Sequence, residues 1–265
     1  MKLVVENPWQ ALRRHTPARI ALGRSGPALP TREVLEFGLA HARARDAVHH
    51  ALATDRLEQE LIGIGYDPVR VHSRASDRSV YLTRPDLGRR LDDESKERLN
   101  GAAELVVAIA DGLSALAVQS HAVPLLGELV RLAASRWSGV PVVIALQGRV
   151  ALGDEIGERL NARLVVVMIG ERPGLSAPDS LGIYITYAPR VGRTDAERNC
   201  ISNVRPQGLT YVEAASKLDW LVDAALTRGF TGIGLKDESE IEATTSPLIQ
   251  EGKRQEGKLQ TRMRD

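Results

Sequence analysis

The stretch GRTDAERNCISNVRPQGL, residues 192–209, holds the only cysteine of the chain, Cys200. Arg193 and Arg198 precede it, and Ser202, Asn203 and Arg205 follow. A thiol attacks as the thiolate, so a nucleophilic cysteine needs a base or cation beside it. All six histidines lie at or before His121, and a Cys/His pair would need His121 or His72 to reach across from the first half. The plainer role for an isolated thiol is that of a small core residue. The density of polar side chains around Cys200 raises the alternative of a segment that wraps a ligand, and the residues alone leave both readings open.

Positioning such a segment requires a scaffold, and the second half of the chain supplies one. ELVVAIA (104–110), VPVVIAL (140–146) and RLVVVMI (163–169) are short, continuous β-branched runs, as expected of parallel strands covered on both faces. Helical spacing alternates with them over 115–137 and 153–160, a further strand fits GIYITYA (182–188), and a helix fits 211–228. This is the pattern of an open α/β sheet with helices on both faces. In such sheets ligands bind beyond the carboxyl ends of the strands. The segments that follow them are Asp111-Gly112-Leu113-Ser114, Gln147-Gly148-Arg149-Val150, Gly170-Glu171-Arg172-Pro173-Gly174 and Pro189-Arg190, the last leading to Cys200. Each of the first three sets glycine beside polar or charged side chains, which allows close backbone approach to a ligand. Glycines and charges also make ordinary turns.

Residues 1–98 read as a small helical and loop-rich domain with no convincing buried strand. A helix begins at Thr31, a short one covers 92–100, and YLTRPDLGRR is a turn-bearing loop. Residues 99–235 form the sheet domain. From Lys236 onward the sequence is polar, acidic first and basic later, as in a mobile tail. With 43% hydrophobic but only 4% aromatic residues, the core must be built from Val, Leu, Ile and Ala. A net charge of +1 gives no general electrostatic case for nucleic acid or an anionic membrane. No apolar run approaches the roughly 20 residues of a membrane span, and the N-terminus lacks a secretory apolar region. A cytoplasmic protein is expected.

GxGxxG, Walker A and GxSxG motifs are absent, as is paired Cys/His spacing for a metal. A binding edge without a catalytic machine describes a cofactor-binding subunit, or half of an active site. One alternative is a free-standing α/β protein that takes a nucleotide or phosphorylated metabolite at the Asp111 and Gly170 loops, with Arg84, Arg89 and Arg90 as phosphate clamps.

VENPW (5–9), GRSGPALPT (23–31), SDRSVYLTRPDLGRRL (76–91), ADGLSALAV (110–118), GRVALGDEIGE (148–158), GERPGLSAPDSLGIY (170–184) and RTDAERNCISNVRPQGL (193–209) closely resemble, in the same order, the light or small chain of ethanolamine ammonia-lyase. The resemblance covers almost everything from Val5 to about Leu235. It implies a Rossmann-like cobalamin-binding domain preceded by a small helical one. It also implies a separate large chain, whose barrel holds ethanolamine, and adenosylcobalamin held between the two. The hard chemistry, radical conversion of ethanolamine to acetaldehyde and ammonia, belongs to that cofactor, and this chain alone is expected to be inactive. The family's cofactor contacts carry over to Val150 of the GRV block, Glu171 of GERPG and Cys200 of the RxCISN block. Catalytic and metal-ligating residues are expected to be absent from this chain. Some members carry a long N-terminal extension linked to packaging in a bacterial microcompartment, and none precedes VENPW here, which favours a cytoplasmic location.

Overall fold

The computed structural model describes residues 4–239. Six strands make one sheet: β1 (Val69–His72), β2 (Leu105–Ala110), β3 (Val142–Leu146), β4 (Leu164–Gly170), β5 (Leu181–Tyr187) and β6 (Arg198–Val204), in spatial order β1-β3-β2-β4-β5-β6. The helices are α1 (Thr31–His49), α2 (Thr54–Gly63), α3 (Arg78–Thr83), α4 (Asp93–Arg98), α5 (Ala115–Leu132), α6 (Ala134–Trp137), α7 (Leu152–Arg159) and α8 (Tyr211–Arg228). The expected α/β sheet with both faces covered is present. The tail expected from Lys236 lies outside the described residues from 240 onward.

Alternation along the central strands sorts the core into two layers. On β2, Val107 and Ile109 face a cluster completed by α2, α5 and α8, while Val106, Ala108 and Ala110 face one completed by α7 and by Leu91 and Leu99. Every residue of β2 and of β4 is buried, which is why both read as unbroken apolar runs. Helix α8 starts on a capping box, with Thr210 and Glu213 each bonding the other's backbone, and stops at Gly229 in the left-handed conformation (φ 80°). These are the cap types that satisfy a helix's orphan N–H and C=O groups.

Three features depart from the sequence expectations. First, only β1, β3, β2 and β4 run parallel; β4–β5 and β5–β6 are antiparallel. The links into β5 and β6 contain no α-helix, and a parallel return needs a crossover of a dozen or more residues. Second, β1 comes from the stretch before residue 99, where the sequence shows no convincing buried strand, so the sheet draws on both sides of that expected boundary. Its sequence, VRVH, is a half-buried edge strand with no continuous apolar run. Third, the helix expected over 115–137 breaks at Ala133 (φ −146°, ψ 71°). The break turns Trp137 into the core, where its indole N–H donates to Asp219 Oδ1 at 2.8 Å.

In the N-terminal part α1 buries only Ala47, and Val34, Leu35, Phe37 and Leu39 remain exposed. No helix among the described residues is long and apolar enough to cross a membrane.

Candidate functional site

The loops after β2, β3 and β4 meet at the carboxyl edge of the parallel strands. Asp111, buried directly after β2, accepts from the backbone N–H of Gln147 and of Gly148, each at 3.0 Å, and so ties the second loop to the first. Burial pushes its carboxyl above the usual range, against the pull of those backbone donors. Each oxygen takes one backbone N–H of the second loop, so Asp111 is a brace within the edge.

The close approach of these loops depends on Gly170. A Cβ there would lie 2.0 Å from the Ser114 carbonyl oxygen and 2.7 Å from that of Asp111. The Leu113 N–H donates to the Gly170 carbonyl at 2.9 Å. Between the loops lies a cavity of ≈ 450 Å³, with Tyr81, Leu113, Val150, Ile169, Glu171 and Tyr184 among its walls. Tyr81 is fully buried on α3 and donates to the Gly148 carbonyl at 3.2 Å. Burial, opposed by Arg149, lifts its phenol to about 12.

Val150 and Glu171 thus share one cavity, as their positions beyond β3 and β4 suggested. Glu171 is already well partnered: Ser202 Oγ donates to Oε1 at 2.6 Å, while Ser180 Oγ and the Asn203 N–H (3.3 Å) donate to Oε2. A carboxylate has roughly four acceptor sites. One, on Oε1, is left for anything entering the cavity.

Cys200 is on β6 itself, and the expectation of a loop beyond a strand end is corrected. The segment pairs with β5, its polar residues taking the outward positions of an edge strand and only Arg198, Ile201 and Val204 facing inward. Cys200 is exposed, which also rules out the core-thiol reading. The register places it opposite Tyr184, a wall of the cavity, although Cys200 itself is not a wall residue. Desolvation by its packed neighbours pushes the thiol above its ordinary value; Tyr184 opposes the shift and Glu171 adds to it. Such a thiol stays protonated at neutral pH and is a poor nucleophile.

A second cavity of ≈ 530 Å³ adjoins the first through Arg149 and Val150, and Arg89, Arg90, Arg193 and Arg198 also line it. Arg84, the third phosphate clamp of the alternative reading, instead pairs with Asp86 on the surface. Sequence reasoning overlooked Tyr81 and Tyr184. The alternating, half-apolar IYITY pattern was the one available hint that Tyr184 stands on the opposite face from Ile183 and Ile185. Among the described residues no group of three or more His, Cys, Asp or Glu side chains is arranged to hold a metal.

Comparison with known proteins fits this geometry to a family. Residues 6–236 match the family model described as ethanolamine ammonia-lyase light chain (EutC). Curated proteins named ethanolamine ammonia-lyase small subunit align along nearly the full length. The one from Ralstonia nicotianae is 53% identical over 259 residues, covering 95% of this chain and 94% of its own. That from Azotobacter vinelandii is 57% identical over 244 residues (89% and 90%), and that from Xanthomonas campestris pv. campestris 58% over 240 residues (88% of each). Because the match runs through the sheet, its loops and the β6 segment alike, this chain belongs to the ethanolamine ammonia-lyase light-chain family.

Proposed function

We propose that this chain works as the small subunit of an adenosylcobalamin-dependent ethanolamine ammonia-lyase, in the cytoplasm. Its sheet edge forms one wall of the cofactor's site, and a large chain supplies the other wall and holds ethanolamine. The observation that carries the reading is the convergence of Val150 and Glu171 on one cavity whose further wall, Tyr184, is paired with Cys200.

The residues suit a corrinoid. Val150, Leu113 and Ile169 offer an apolar surface for the ring, and the glycines at 112 and 170 let the loops after β2 and β4 pack directly against each other beside it. Glu171 keeps one acceptor site for a peripheral amide. The bonds from Ser180, Ser202 and Asn203 hold that carboxylate in place before anything binds. When bound, adenosylcobalamin supplies the radical that starts the conversion of ethanolamine to acetaldehyde and ammonia. This chain's part is to bind, orient and shield. The expected result is that the complex with the large chain produces acetaldehyde when adenosylcobalamin is added, and that the single chain produces none. Acetaldehyde from the single chain would refute the half-site, and a complex that neither binds corrinoid nor turns over would refute the function.

Cys200 gives a sharper check. A protonated thiol beside the cavity acts by filling space, so Cys200→Ser should turn over normally at saturating cofactor with a few-fold weaker binding, in line with about 1 kcal/mol for a small change in packing. Cys200→Trp, crowding Tyr184, should block loading. A serine variant that loads fully yet shows no turnover would assign the sulfur a chemical role.

A further inference from the structure

Resting on the cofactor reading above, we propose that the arginine-lined cleft beside the ring cavity is a phosphodiester site, and that it holds the phosphate of the corrinoid's nucleotide loop. The cleft and the ring cavity share Arg149 and Val150 as a common wall, so a ligand seated on Val150 has the cleft within its reach.

Three of its five arginines are fixed by carboxylates. Arg90 donates to both oxygens of Glu155 at 3.0 and 3.1 Å, Arg198 to both oxygens of Asp154, and Arg193 to Glu197. These pairs form a stiff frame. Arg89 and Arg149 have no carboxylate partner among the described residues, and both line the cleft. Arg149 is held in place without being neutralised. Its backbone N–H donates to the Gly88 carbonyl at 2.8 Å, its Nη2 to the Tyr81 carbonyl at 3.1 Å, and its Cζ stacks 4.2 Å from the Tyr81 ring centroid. Its Nε is buried and has no hydrogen-bond partner among the described residues. Arg198, whose side chain is only 2% exposed, likewise has a buried Nε with no hydrogen bond, and its nearest carboxylate beyond Asp154 is Asp195 at 3.5 Å. Unsatisfied buried guanidinium N–H groups are costly unless something completes them.

The shape of the charge selects the ligand. A phosphodiester spreads one negative charge over two non-bridging oxygens, a match for two unpartnered guanidinium groups with planar, forked donors. A triphosphate brings several charges, and Asp195, fully exposed on the rim, would repel it. Arg89 and Arg149 are therefore the phosphate ligands of the cofactor, Arg90 stays in the carboxylate-fixed frame, and the cleft is not a clamp for a free nucleotide.

The test uses the complex with the large chain and two corrinoids, cyanocobalamin and dicyanocobinamide, the second lacking the nucleotide loop and its phosphodiester. Arg89 is exposed and has no carboxylate partner among the described residues, so Arg89→Gln should fold as wild type. Equilibrium dialysis should show wild type preferring cyanocobalamin, and Arg89→Gln losing about tenfold of that preference by weakening cyanocobalamin alone. Arg89→Lys should retain part of it. Equal weakening of both corrinoids, or of neither, would overturn the phosphate site while leaving the cofactor reading intact. Wild type binding neither corrinoid would overturn both. Arg89-dependent binding of ATP or inorganic phosphate, without any preference for cyanocobalamin over dicyanocobinamide, would assign the cleft to a free phosphate and overturn the proposal.

Discussion

Asp154→Ala should cost the protein about 3–5 kcal/mol, the usual penalty for removing one partner of a buried ion pair. The Asp154 side chain is 1% exposed and accepts from Arg198 at 2.5 and 2.7 Å. The same guanidinium donates to Thr186 Oγ1 at 3.0 Å and to the Arg193 carbonyl at 2.9 Å. Burial pulls the Arg198 guanidinium down, but the bonds and charge of Asp154 outweigh it and hold the group above its ordinary value. Without the carboxylate, that charge is left buried and unmatched. Against a total stability of roughly 5–15 kcal/mol, the loss is a large share of the margin. A urea titration should show the midpoint fall steeply. Asp154→Leu with Arg198→Met should recover much of the loss, since an apolar pair of similar volume leaves nothing uncompensated. A wild-type midpoint for Asp154→Ala would show that the pair holds nothing together. Asp154 is on α7, just beyond the Val150 loop, and Arg198 is on the Cys200 strand, so the pair also sets the spacing of two proposed cofactor contacts.

Gly170→Ala should be comparably severe. The added methyl would sit 2.0 Å from the Ser114 carbonyl oxygen, 2.6 Å from its carbon and 2.7 Å from the Asp111 carbonyl oxygen. All three are backbone atoms, which cannot rotate aside as a flexible side chain can. Overpacking usually costs about 1–3 kcal/mol, and a backbone-on-backbone clash should reach or exceed the top of that range. The loops after β2 and β4 must part to admit the methyl, and the Leu113–Gly170 hydrogen bond goes with them. Gly170→Ala should therefore lose both denaturant midpoint and cyanocobalamin loading in the two-chain complex. A variant with normal loading would show that the ring cavity tolerates a wider mouth.

How legible these features were depends on how local their causes are. β2, β3 and β4 announced themselves because strands buried on both faces must be apolar at every position. The loops that carry Val150 and Glu171 followed from their places just beyond two of those strands, while the two residues themselves came from the family resemblance. Cys200 was misplaced because β6 is a polar edge strand, and RNCISNV, buried only at Arg198, Ile201 and Val204, lacks the period-two alternation that marks a half-buried strand. β1 was missed for the same reason. The Asp154–Arg198 pair joins residues 44 positions apart, and no spacing rule links a helix to a strand across that distance. The three donors to Glu171 come from two different segments, the β4–β5 connection and β6. Sequence position could place the carboxylate but could not show how much of it remained free.

Among the described residues, helix α8 is the last element of the buried layer to be synthesised. Ala214, Leu218, Leu221, Val222 and Ala225 close the same cluster to which β5 contributes Leu181, Ile183 and Ile185. On the ribosome, a chain that has finished β4 at Gly170 still lacks Arg228 at the end of α8. At about 5–20 residues per second, elongation leaves that face of the nascent sheet open for several seconds. During that interval the growing chain is a natural client for a holdase chaperone, and a message truncated before the α8 codons would release a product with its apolar layer uncovered.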